Sequence, residues 1–144
     1  MPTAAAVIAC ALTLLGKSER NTPPIVLVET APIEASAQVE AFVRSSDNTI
    51  YIVKSSPVFR TLLASRSDCG DFIALKKLAS IIAHEEWHIR HGTDERGAYQ
   101  AQLTTLLRLG VNPDNSLYTS VVRSMLTVVK KRQEKPEMVL ARQP

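Results

Sequence analysis

His84-Glu85-Glu86-Trp87-His88 is the stretch whose residue types and spacing can do chemistry. Two histidines four apart lie on one face of a helix, one turn above the other. Their imidazoles can reach a single divalent cation together. Glu85 follows the first histidine, where its carboxylate can take a proton from a water that the cation activates. A merely structural site has no use for that glutamate and more often recruits cysteines. The donor set makes Zn²⁺ the expected cofactor, although histidine and carboxylate also suit other divalent ions.

Two histidines leave a zinc site incomplete, because catalytic zinc usually has three protein ligands. Gly92 is a natural helix stop, and Thr93 or Asp94 can cap the helix that follows. Glu95 then stands at the start of that helix, on a face shared with Ala98, Tyr99 and Gln102. It is the first choice for third ligand. Asp94 is the alternative, at the spacing where a metzincin-type site places its third ligand, but that pattern wants glycine at position 91. His91 shares the face of His84 and His88. At about 1.5 Å per residue it lies roughly 10 Å from His84, so contact with substrate or with a ligand suits it better than ligation. Tyr99 is a candidate for orienting a ligand or donating to an oxyanion. Glu86 is expected on the solvated side of the helix, and Trp87 against the sheet or a neighbouring helix.

These residues resemble the zincin metallopeptidases. The likeness rests on HExxH at 84–88 followed by Glu95-x-x-Ala98-Tyr99, similar to a compact gluzincin arrangement in a small bacterial protein. The resemblance implies a zinc-dependent hydrolase, with His84, His88 and Glu95 as ligands and Glu85 as general base. A peptide or protein would be the substrate. Two features depart from the pattern: the gap between His88 and Glu95 is short, and Tyr99 stands where many gluzincins carry an acid. The alternative is a non-catalytic zinc-binding domain that retains the fold.

The chain has 144 residues, enough for one domain with a core. A formal charge of +3 is too small to argue for a nucleic-acid partner. Lys130-Lys131-Arg132 falls at a helix end, where cations complement the dipole. Cys10 and Cys69 are widely spaced and form no framework or CxxC pair, so both read as structural or incidental. Thr3 to Leu15 is nearly all apolar but shorter than the about 20 residues that span a bilayer. No Lys or Arg precedes it, and no cleavage site follows promptly. Val7-Ile8-Ala9-Cys10 has the look of a lipoprotein box, yet the apolar run continues past the cysteine. The expectation is a buried helix ending at Gly16, no membrane span, and a cytoplasmic protein.

The elements that must position the site follow from periodicity. Strands are expected at 25–29, 39–44 and 49–54, from their β-branched content. A short helix is expected at 58–65. The metal helix should run from Asp71 to His91 and bury Ile73, Leu75, Leu78, Ile81 and Ile82. A second helix, 94–109, should bury Leu103, Leu106 and Leu107, and a third, 117–132, Val121, Val122, Met125, Val128 and Val129. This is an α+β domain over 1–132, a small three-stranded sheet with helices on one side, and a frayed tail from Gln133. The 49–54 strand is the expected sheet edge, where an extended peptide can pair.

Overall fold

A computed structural model describes residues 2–32, 39–44, 46–69 and 71–134 of the chain. The fold is α+β, with five α-helices and a small three-stranded mixed sheet. Helix α1 spans Ala4–Leu14. The Thr3 hydroxyl starts it by accepting from the Ala6 amide at 3.1 Å, satisfying one orphan N–H. Its Val7, Ile8, Ala11 and Leu12 are buried. A single 3-10 turn at Glu19–Asn21 leads into β1, Ile25–Val28. Strand β2 is Ala41–Arg44 and β3 is Thr49–Val53.

The strand order is β1-β3-β2. β1 runs parallel to β3, in register Ile25↔Ile50, and β2 runs antiparallel, in register Val43↔Ile50. Alternation sends Ile50 and Ile52 into the core, with Ile25, Leu27, Ala41 and Val43 beside them. Val26, Tyr51 and Phe42 form a row on the opposite face, where Phe42 stacks on Tyr51. The expected edge strand, 49–54, is therefore the central one. Strand order is set by a long crossover, and nothing local in the 49–54 stretch encodes it.

Helix α2 (Pro57–Ala64) and helix α3 (Phe72–His91) complete the main core with α1. Helix α4 (Glu95–Arg108) and helix α5 (Ser116–Glu134) add a second cluster of Leu103, Leu106, Val111, Leu117 and Val121. Two expected core residues face outward instead: Ile73 and Leu107 are each 48 % exposed. Helix α5 extends two residues past its expected end at 132, and residues 135–144 lie outside the described residues.

Of the two roles expected for the cysteines, structural or incidental, they take the structural one. Cys10 of α1 and Cys69, just before α3, form a disulfide. Docking α1 against α3 brings together two thiols that the sequence holds 59 residues apart. Among the described residues, no helix is long and apolar enough to cross a membrane.

Candidate metal centre

The site is built from one helical hairpin, α3 and α4. Asp71 caps α3, its carboxylate accepting from the Ala74 amide at 2.9 Å. The helix runs unbroken through both histidines and stops at Gly92, whose φ of 103° favours glycine. Asp94 caps α4 by accepting from the Arg96 amide at 3.1 Å. That cap occupies the alternative ligand at a helix start and leaves Glu95 to turn inward. Gly97 closes the hairpin. A Cβ there would stand 2.2 Å from Cζ2 of Trp87, so the absent side chain is what lets α4 meet the indole of α3. Trp87 thus packs on the neighbouring helix, one of the two expected surfaces.

His84, Glu85 and His88 each present a ligand atom, and these atoms lie within 4.8 Å of one another. Glu95 joins them from α4. Its Oε1 is 3.4 Å from His84 Nε2 and closer still to His88 Nε2. Both histidines are held from behind. Nδ1 of His84 lies 2.8 Å from Oε1 of Gln102, and Nδ1 of His88 lies 2.8 Å from the Gly92 carbonyl oxygen. Both partners are acceptors, so each Nδ1 carries a proton. A ring with its single proton there would offer an unprotonated Nε2 to the same small space, where Glu95 Oε1 also lies. Ring orientation by such partners is how metal-ligating histidines are usually fixed.

Two nitrogen lone pairs and a carboxylate oxygen converging on one point repel unless a positive charge sits among them. Burial alone would depress His88, but its contacts with Glu95 and the Gly92 carbonyl outweigh that and raise it. Burial likewise pushes Glu95 up, and the two imidazoles more than reverse this, holding it at about 2. A divalent cation would meet the same three acceptors, and two nitrogens with one carboxylate match the donor set zinc takes.

Glu85 differs from Glu95. Burial raises it to about 7, against the pull of His84 and His88. Its Oε2 is buried with no hydrogen-bond partner among the described residues, an acceptor beside the imidazoles. Tyr99 sets its ring edge-on to His84, with centroids 4.6 Å apart. Burial and the nearby Glu95 and Glu85 carboxylates push its phenol up to about 12, so it stays a donor at neutral pH.

Two expected placements are corrected. Glu86 is not solvated: it is 6 % exposed and pairs with Lys17 at 2.7 Å and Arg90 at 3.1 Å. Lys17 comes from the chain after α1 and supplies the charge that makes burial tolerable. His91 does not reach the cluster. It is exposed and lies against the Trp87 ring, with centroids 4.8 Å apart. Gln102 sits where the stripe Glu95, Ala98, Tyr99, Gln102 puts it. Ser80, one turn before His84, escaped the sequence reading. It is fully buried and within 3.4 Å of the Gln102 amide nitrogen, and its i, i+4 spacing to His84 is the signal that could have found it.

Comparisons of the chain with protein-family models, curated proteins and solved structures find no match.

Proposed function

We propose that the chain is a zinc-dependent hydrolase of the zincin kind, acting on a peptide or protein substrate. The observation that carries this reading is the convergence of His84 Nε2, His88 Nε2 and Glu95 Oε1, with both Nδ1 atoms engaged behind. These three residues would hold the zinc. Bound zinc supplies Lewis acidity at a carbonyl and makes water acidic at neutral pH. Glu85 would take the proton of the attacking water and deliver it to the leaving amine. Its raised value suits a group that must gain and lose a proton near pH 7. Tyr99 would donate to the developing oxyanion or hold His84 in place.

The edge that an extended substrate can join moves from β3 to β2. β2 is an edge strand tied to α3, through Glu40 beside the sheet and Lys77 at 3.1 Å. The disulfide favours an oxidising compartment over the cytoplasmic location expected from the sequence.

Metal content by mass spectrometry tests the reading, on wild type beside Glu95→Ala and Asp94→Ala. About one zinc per chain, lost in Glu95→Ala and kept in Asp94→Ala, supports it. The reverse pattern shifts the third ligand to Asp94. No metal after zinc loading of all three leaves the His88–Glu95 ion pair as the whole of the site and removes the hydrolase. Zinc held without hydrolysis of any peptide library selects the non-catalytic zinc-binding domain.

A further inference from the structure

We infer that Ser80 and Gln102 form a positioning relay that reads a backbone carbonyl and sets which nitrogen of His84 faces the site. The chain of hydrogen bonds has one possible direction. The Ser80 hydroxyl has a single proton, and it donates that proton to the Lys77 carbonyl at 2.7 Å. Toward Gln102 the serine oxygen can therefore only accept. The Gln102 atom facing it must be the amide nitrogen, 3.4 Å away. That assignment turns the other end of the amide, its carbonyl, toward His84. A carbonyl accepts, so Nδ1 of His84 must donate across the 2.8 Å contact. Nε2 is left with its lone pair directed at Glu95.

Each link removes an ambiguity that the side chain alone would keep. An isolated glutamine can flip its amide, and an isolated neutral histidine can hold its proton on either nitrogen. Ser80 is fully buried and Gln102 is 6 % exposed, so solvent does not compete for either. The Lys77 carbonyl itself cannot reverse, because it belongs to the backbone of α3. His88 has no such relay: it meets an acceptor at each nitrogen, the Gly92 carbonyl at Nδ1 and the Glu95 carboxylate at Nε2. Only His84, whose Nε2 stands farther from Glu95, has its proton placed by side chains from two helices.

The tautomer stands without the hydrolase reading. Its consequence for affinity rests on that reading. Partners of this kind are worth about 10–100-fold in metal affinity.

The test uses full-length protein with ¹⁵N-labelled histidine in a His91→Asn background, which removes the exposed ring from the spectrum. Two-dimensional ¹H–¹⁵N spectra of the metal-free protein at pH 9 read the tautomer of each remaining ring. His84 is expected with the proton on Nδ1, and His88, which faces Glu95 from Nε2, serves as the internal comparison. Gln102→Leu should move one ring away from that pattern and leave the other, and Ser80→Ala should make the same ring a mixture. Gln102→Glu keeps an acceptor against Nδ1 and should preserve the wild-type pattern. In parallel, zinc competition with a chromophoric chelator should show a loss of about 10–100-fold for Gln102→Leu and affinity near wild type for Gln102→Glu. A wild-type His84 protonated on Nε2 overturns the relay. So does equal damage from Gln102→Leu and Gln102→Glu, which would mark Gln102 as packing alone. If no form binds zinc, the hydrolase reading fails and the spectra alone decide the relay.

Discussion

Replacing Gly97 by alanine perturbs the contact that closes the hairpin, and its effect can be worked from the structure. The new Cβ would lie 2.2 and 2.4 Å from Cζ2 and Cη2 of Trp87, where carbon atoms in good contact stand about 3.5–4.0 Å apart. More than an ångström of overlap must be relieved. Overpacking of this sort costs about 1–3 kcal/mol, and a ring this close belongs at the upper end. Alanine recovers about 1 kcal/mol of helix propensity over glycine. The net expectation is a loss of about 2 kcal/mol, or about 4–8 °C in Tm for a chain of this length. Relief by moving α4 away carries Glu95 from the histidines, so zinc affinity should fall as well. Trp87 is the sole tryptophan, and its emission reports the contact directly. Trp87→Leu should rescue Gly97→Ala, giving a coupling in a double-mutant cycle. A Gly97→Ala variant as stable as wild type, with unchanged tryptophan emission and zinc affinity, would refute the argument that this contact sets the spacing of the hairpin.

Further expectations follow from the charges and the covalent link. Glu85→Gln should keep zinc and lose turnover, and a fully active variant would remove Glu85 as base. In chelator-treated protein, the folded value of Glu85, about 7, lies above its unfolded value. Its protonated form contributes fully below about pH 4.5, and the contribution is lost as pH rises through 7, up to about 3 kcal/mol. Glu95 runs the other way: held at about 2, it contributes above the ordinary carboxylate range and loses that contribution as pH falls toward 2. Urea titrations from pH 4 to 8 should show a steeper fall in wild type than in Glu85→Gln, where only the raised His88 still loses its contribution in the same direction; parallel curves would count against a buried Glu85. Lys17→Met leaves Glu86 with only the more exposed Arg90 and should cost about 1 kcal/mol, measured by thermal denaturation. Reducing Cys10–Cys69 opens a covalent loop across a separation of 59 residues and should cost about 4 kcal/mol in the chain-entropy treatment; a midpoint indifferent to reductant would mean the bond is not closed in solution.

The parts of the molecule legible in the sequence are those encoded by neighbours. Helical periodicity placed the α3 and α4 boundaries within a residue, and the i, i+4 histidines with the Glu95–Gln102 stripe located the cluster. What escaped depends on contacts between distant segments. Glu86 reads as solvated until Lys17 is brought to it from 69 residues away. Cys10 and Cys69 read as structural or incidental, and only the docking of α1 shows that they pair. The 49–54 strand has the composition of any half-buried strand, and only the β1-β3 pairing makes it central. His91 follows His88 by three residues, but the helix ends there and turns its ring onto Trp87.

The confinement of the site to one hairpin has a consequence for how the chain folds. From Ser80 to Gln102 every member of the cluster comes from two consecutive helices joined by a short turn. Such local contacts close at little entropic cost and form early, whereas the docking of α1, which brings Lys17 to Glu86 across 69 residues, must wait for a distant segment. Two helices without a core are marginal on their own. A divalent ion captured at that stage would tie the hairpin down before α1 docks, and it should speed refolding in proportion to the share of the hairpin present in the transition state.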